Sequence, residues 1–374
     1  MTKKTPLTHT MSSNISRRKV LKGAAGAAAG VSALTAATNR AAGSDPGFYV
    51  NLNQDAGELV IYNWYQPWIA EVYPMFEEET GIAVTQLGTY SSNDEWWARL
   101  NAGESFDFFI PTTDWVQRAM AADLLHEIDL EQIPNNANLL EEFQQNEIYQ
   151  ADGSTYAVPF SRVYYSLTYN TDEFAEAPTS WEVTWDEAYD GRITMQDQAY
   201  ARVGTTALLL GDDPLNPTMW DEIRDRLLAQ KELVSKYWED YQLGMEMFLN
   251  EEVVVGQLTA GRTRMGASLG GPIDWTIPEE GCLTFIDTFA IPATSENPEN
   301  GHAFIDFLHR PDIMALQMEM MYYDSLNEAA REELSEDVRA QYELPEDANL
   351  VLATDLDPQI RSRIDELWTE VQLS

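Results

Sequence analysis

The chain has 374 residues and carries 62 Asp plus Glu against 23 Lys plus Arg, a formal net charge of −39 at pH 7. Such a surface repels polyanions and excludes nucleic acid as a partner. A hydrophobic fraction of 44% with 11 Trp, 17 Tyr and 13 Phe is enough to build a core and excludes intrinsic disorder. Seven of the basic residues precede residue 44, where no Asp or Glu occurs, and Lys231 and Lys236 are the only lysines after it. Acid excess with scarce lysine suits concentrated salt, where the Debye length falls to about 3 Å at 1 M. Most of the carboxylates are therefore read as a solvated coat, and a cation-binding role has to be argued from particular ones. The single cysteine, Cys282, leaves no intrachain disulfide and no cysteine metal cluster. The four histidines are scattered, and no metal or cofactor is expected.

Residues 1–43 read as an export signal. Ser16-Arg17-Arg18-Lys19-Val20-Leu21-Lys22 has the form of a twin-arginine motif, and the uncharged Ala/Gly-rich stretch Gly23 to Thr38 follows it. That stretch is too short and too weakly apolar to span a bilayer of about 30 Å. Ala41-Ala42-Gly43 suits cleavage, and residues 44–57 read as a linker. The expected mature protein is soluble and extracytoplasmic.

From residue 58 the pattern alternates. Glu58 to Trp64 (ELVIYNW) is an apolar strand, and Ile69 to Thr80 has helical spacing and stops at Gly81. A strand over 82–87, a helix over 93–101 and a buried strand over 106–111 follow, with Asp114 opening another helix. Further strands are expected at 159, 164–170, 191–195, 265–269 and 285–290. Helices are expected at 200–210, 217–236, 240–250, 299–309, 312–321, 326–334 and 358–371. This order implies a parallel sheet with helices on both faces, an α/β fold.

In open α/β sheets ligands sit beyond the carboxyl ends of strands. Trp64-Tyr65-Gln66 follows the first strand, Tyr90-Ser91-Ser92 the second and Thr112-Thr113-Asp114 the third. Asp287 lies within the late strand and Tyr323 follows a late helix. Aromatic faces and carboxylates at one rim are the chemistry of an organic-cation site.

The segments IYNW at 61–64, FEEETGIAV at 76–84, TYSSNDEWWARL at 89–100 and FDFFIPTTDWV at 106–116 carry a family resemblance. So do AVPFS at 157–161, TSWEVTWDEAYDGRITM at 179–195, GCLTFIDTFAIP at 281–292, AFIDFLHRPDIM at 303–314 and YYDSLNEAA at 322–330. In this order they resemble the spermidine/putrescine-binding proteins, solute receptors of polyamine ABC importers, in a haloarchaeal-like version. The resemblance implies the type II periplasmic-binding-protein fold: two α/β lobes, a ligand cleft, and crossing hinge segments near 159–162 and 286–288. Lobe 1 would hold 58–160 with 288–322, and lobe 2 would hold 161–287 with 323–374. It also implies closure around a small solute, delivery to the transmembrane subunits of a permease, a monomer, and no catalysis.

Carried over residue by residue, the resemblance assigns ligand-site positions to Trp64, Gln66, Thr112, Asp114, Phe285, Asp287 and Tyr323, and Tyr90 joins them from its place at the end of the second strand. Asp287 matches the carboxylate that grips one end of a polyamine. Gln66 stands where the family has an acid, and Phe285 where it has a Trp. In the second lobe the family's paired acids fall on Gln198 and Ala201, with Asp197 one residue away, and its Trp falls on Thr259. Arg162, Arg202 and Arg262 lie close to these positions. A diammonium ligand needs an acid at each end, since an unpaired buried ammonium costs several kcal/mol. Asp287 offers one, and Asp114 or Asp197 the other. Polyamine is the leading ligand, with an amino-acid-like, thiamine-like or anionic solute as the alternative. An exported hydrolase is the reading from a different class, but no nucleophile elbow, zinc-protease, P-loop or dinucleotide motif is present.

Overall fold

The structure is a computed structural model and describes residues 57–374 except 65, 145 and 346–347. The expected signal at 1–43 and the linker up to residue 56 lie outside the described residues. Among the described residues no helix is long and apolar enough to cross a membrane.

Strand β1 (Glu58–Trp64) leads into helix α1 (Pro67–Thr80), and β2 (Ala83–Tyr90) returns parallel to β1 with Trp64 opposite Tyr90. Gly81 ends α1 at φ 76°, a conformation that costs glycine little, and its N–H donates to the Glu77 carbonyl. Helix α2 (Asn93–Asn101) and an extended run to residue 112 follow. That run is the expected third strand. It pairs through single bridges, Ile61 with Phe108 in parallel and Phe109 with Ala290 antiparallel. Strand β1 is covered on both faces, whereas β2 is a mostly exposed edge. Leu59 and Ile61 pack with Trp68, Val72 and Phe76 of α1, while Tyr62 packs with Trp96, Phe106 and Phe109. Helix α3 (Thr113–Ala121) starts at the end of the third strand.

The chain then crosses on β3 (Val158–Asn170). The second sheet uses β4 (Ile193–Gln196), β5 (Val234–Trp238), β6 (Val255–Thr259), β7 (Ile273–Thr276) and β8 (Cys282–Phe289). Helices α4 (Ala199–Leu209), α5 (Trp220–Lys231), α6 (Tyr241–Leu249) and α7 (Ala260–Ser268) intervene. β4 runs parallel to β5 and β6, whereas β3 is antiparallel to β6, β7 and β8. β8 returns toward the first sheet, and helices α8 (Pro298–Leu308) and α9 (Pro311–Met321) pack there with α1. Beyond them lie β9 (Asp324–Ser325), α10 (Glu328–Glu333), β10 (Leu350–Leu352) and α11 (Pro358–Leu373). Leu326, Ala330, Leu334 and Tyr342 join the same apolar cluster as α1 and α9. In α11, Ile364, Leu367, Trp368 and Val371 repeat at helical spacing and pack on Val203 and Ala207 of α4 and on Ile223 and Leu227 of α5.

Two sequence expectations are corrected. The strand expected over 265–269 is helix α7, and the strand is β6, directly before it. Thr259 ends β6 and caps α7, its hydroxyl accepting from the Arg262 N–H at 3.4 Å. The helix expected over 217–236 stops at Lys231, because residues 234–238 pair with β4, and this tertiary pairing outweighs local helix propensity. The architecture is that of a type II periplasmic-binding-protein fold, with two α/β lobes and β3 and β8 crossing between them.

Candidate functional site

The strand ends of the first lobe converge through local contacts. Trp64 donates from its indole to the Ile110 carbonyl at 2.9 Å and sits edge-on to Tyr90 with ring centroids 4.7 Å apart. The Tyr90 hydroxyl donates to the Ile110 carbonyl at 2.7 Å and accepts from the Ile110 N–H at 3.1 Å. Both rings are thus locked to the third strand. Burial raises the Tyr90 phenol well above its ordinary value, so it stays neutral. Gln66 caps α1 by position, and its side-chain oxygen accepts from the Trp68 indole at 2.9 Å. Thr112 precedes α3, accepts from Asn93 at 3.0 Å, and donates its hydroxyl to the Asp114 carboxylate.

The return strand β8 brings Asp287 to this corner. Thr112 and Asp287 face each other in an antiparallel bridge. The Thr288 N–H donates to the Pro111 carbonyl at 3.0 Å. Asp287 is only 5% exposed, and among the described residues its carboxylate has no hydrogen-bond donor. Burial pushes its carboxyl up to about 7, and the neighbouring Asp114 charge adds to the rise. Burial also raises Asp114, against the pull of the Thr112 hydroxyl. Two neighbouring acids, one buried and one half-buried, cannot both ionise cheaply. A cation placed between them would relieve both.

Four further side chains complete the site, and sequence reasoning did not name them: Tyr165, Gln196, Tyr200 and Tyr241. Tyr165 lies on β3 with its ring 5.3 Å from that of Phe285 on β8. Its hydroxyl donates to Gln198 at 2.9 Å. Burial raises Tyr165 and Tyr200, and the Asp114 charge acts on both. Burial raises Tyr241 likewise, and both Tyr323 and Asp287 act on it. Gln196 donates to the Tyr241 hydroxyl at 3.4 Å, while among the described residues its own side-chain oxygen is buried without a partner, as is the Tyr200 hydroxyl. The signal for these residues lay in the chain order. Gln196, Tyr200 and Tyr241 sit at or just beyond the carboxyl ends of β4 and β5.

The structure brings Trp64, Tyr90, Thr112, Asp114, Phe285, Asp287 and Tyr323 toward this corner, with Gln198 reached through Tyr165. It does not bring Asp197 there. The Asp197 carboxylate accepts from the Trp368 indole at 2.8 Å and from the Gln372 amide at 2.7 Å, and so fastens α11. Thr259 is fully buried as the cap of α7. Tyr323 lies on Gly261, where a Cβ would stand 1.8 Å from its ring. Only glycine lets the ring lie there.

The arginines divide. Arg162 points away from Ser161 and Tyr165 by strand alternation. It pairs with Glu142 at 3.3 Å and borders a cavity of about 270 Å³ with Thr284, Ile286 and Leu352. Arg202 is 1% exposed and hydrogen-bonds the Gln257 side chain, and burial pulls its guanidinium down to about 10. Arg262 is half-buried against Met265. Among the described residues no group of three or more acids, histidines or cysteines is placed to hold a metal.

Residues 71–346 match the family model of bacterial extracellular solute-binding proteins. The spermidine/putrescine-binding periplasmic protein of Escherichia coli is 28% identical over 303 residues, covering 79% of this chain and 85% of that protein. The putrescine-binding periplasmic protein PotF of Escherichia coli is 26% identical over 340 residues, covering 84% and 91%. Among solved structures, the spermidine/putrescine ABC transporter substrate-binding protein PotD of Streptococcus pneumoniae superposes with a TM-score of 0.75 at 23% identity, covering 85% of this chain and 99% of that one. The chain belongs to the bacterial extracellular solute-binding proteins, which are substrate receptors and not enzymes.

Proposed function

We propose that this protein is the extracytoplasmic receptor of an ABC importer, that it takes an organic cation into the cleft between its lobes, and that it delivers the cation to the transmembrane subunits of a permease. The observation that carries this reading is Asp287, a buried carboxylate without a donor among the described residues, beside Asp114, near enough to Tyr90 and Tyr241 to act on both phenols, and on the strand that carries Phe285. An ammonium there exchanges its hydration shell for two carboxylates and ring faces. The curated relatives named for spermidine and putrescine support this ligand class. The twin-arginine pattern at residues 16–22 supports export, and we assign the protein to the outer side of the membrane. One lobe is formed by 58–160 with 288–322 and the apolar return at 326–342. The other is formed by 161–287 with the C-terminal helix α11.

A thermal-shift screen in molar salt, with polyamines, amino acids, thiamine and organophosphates, tests the reading. Solutes with an ammonium group are expected to raise the melting temperature. Stabilisation by organophosphates alone would reject a cation receptor.

A further inference from the structure

The cleft is electrostatically one-ended. Asp114 and Asp287 lie at the same corner, joined through Thr112, and the Asp114 charge adds to the rise that burial imposes on Asp287. The wall across from them is built from the carboxyl ends of β4, β5 and β6 and the first turns of α4, α6 and α7. Its side chains near the acids are uncharged: Gln196, Gln198, Tyr165, Tyr200 and Tyr241. Of the acids around it, Asp197 is turned into contacts with Trp368 and Gln372, Asp240 caps α6 by accepting from the Leu243 N–H, and Asp213 acts on Tyr200.

Behind this wall the charge is positive. Arg202 in the first turn of α4 is buried and forms no ion pair with any described residue; its side chain hydrogen-bonds the neutral Gln257, and its Nε has no partner among the described residues. Burial lowers its guanidinium, while Tyr237, Tyr165 and the Asp197 carboxylate all lie near enough to act on its charge without pairing with it. Arg262, in the first turn of α7, likewise has no carboxylate partner among the described residues and a buried, unpartnered Nε. Among the described residues Arg202 and Arg262 share this lack of a salt bridge with Arg118, Arg264 and Arg339. Helix first turns also favour negative charge.

We infer that the cleft selects a solute with one ammonium end, held by Asp114 and Asp287, and a carboxylate end facing the Gln196, Gln198 and Tyr200 wall above Arg202, and that it discriminates against diamines. This rests on the reading of Asp114 and Asp287 as a cation site. A second ammonium at the far wall would meet neutral amides and a buried positive charge, and would be desolvated without an acid partner. A carboxylate there would meet the unpartnered Tyr200 hydroxyl and the field of Arg202. Specificity would arise from the repulsive element as much as from the attractive one.

The test is calorimetric titration of the full chain in molar salt with matched probes of equal carbon number, γ-aminobutyrate against putrescine and aminovalerate against cadaverine. The amino acid of each pair is expected to bind about tenfold tighter or more, a difference of about 1.4 kcal/mol. Because changing buried Arg202 risks the fold, the companion variant is Gln198→Glu at an exposed position. It supplies the missing acid and should move each ratio toward the diamine by about tenfold. A diamine that binds more tightly than its partner, amino acids that do not bind, or ratios unmoved in Gln198→Glu would overturn the inference. If diamines or spermidine bind while the amino acids do not, one-endedness fails and the cation receptor stands. If Asp287→Asn leaves the affinity of every binding probe unchanged, the cation site itself fails.

Discussion

The two walls of the cleft are built alike and charged differently. Both consist of the carboxyl ends of parallel strands followed by helix starts. In the first lobe that arrangement ends in Asp114, to which β8 adds Asp287, so that a half-buried and a buried acid share one corner. In the second lobe the equivalent places hold glutamines and phenols, with Arg202 buried beneath them. Fold therefore sets where a ligand group can be held, and a few side chains set which charge is held there. The nearby acid Asp197 illustrates the difference. It is close in sequence to the second wall, yet its carboxylate is spent on α11.

The contrast can be broken at several points. The largest effect is expected at the first wall, where Asp287→Asn should weaken an ammonium ligand by about 2–5 kcal/mol, because it removes one member of a buried charge pair. Calorimetry with whichever amine stabilises the protein in the thermal screen reads this directly, and a change below about twofold would show that Asp287 does not face the ligand. At Asp197 the expected outcome is the reverse. Asp197→Ala should cost about 1–3 kcal/mol of folding stability, by stranding the Trp368 indole, and should leave affinity unchanged. Denaturant melts paired with ligand titrations separate the two quantities, and a loss of affinity without a loss of stability would place Asp197 in the cleft after all. The smallest effect is expected at Tyr241→Phe, about 0.5–1.5 kcal/mol in affinity, from one hydroxyl that contacts Gln196. An effect larger than that of Asp287→Asn would shift the centre of the site to the second lobe.

The first wall was legible in the sequence because its candidate residues sit at the strand ends themselves, Trp64 and Tyr90 closing β1 and β2 and Asp114 in the first turn of α3. The second wall was obscured by two misplaced elements. The helix expected through residue 236 hid β5, so Tyr241 was not seen to lie beyond a strand end. The strand expected at 265–269 hid the end of β6. Neither error is visible locally, because both strands are fixed by pairing with β4. The fate of Asp197 depends on Trp368, 171 residues away, and no short-range pattern carries that contact. Arg202 illustrates the same limit: its position in the first turn of α4 is local, but its burial against Gln257 is set by the packing of β6.

The pH dependence joins these observations. The folded protein keeps the Asp287 proton up to about pH 7, whereas an unfolded Asp releases it near its ordinary value of about 3.9. The folded state therefore binds more protons in that window, and stability without ligand should fall as the pH rises from about 4 to about 7. A bound ammonium favours the ionised form, so its affinity should rise with pH and level off above about 7. The most direct measurement is the proton count on binding, taken by calorimetry at about pH 6 with γ-aminobutyrate and with putrescine in buffers of different ionisation enthalpy. The account expects close to one proton released per bound ammonium, and none in Asp287→Asn. Proton uptake, or no release by the unsubstituted protein, would contradict the claim that the cation is held by Asp287.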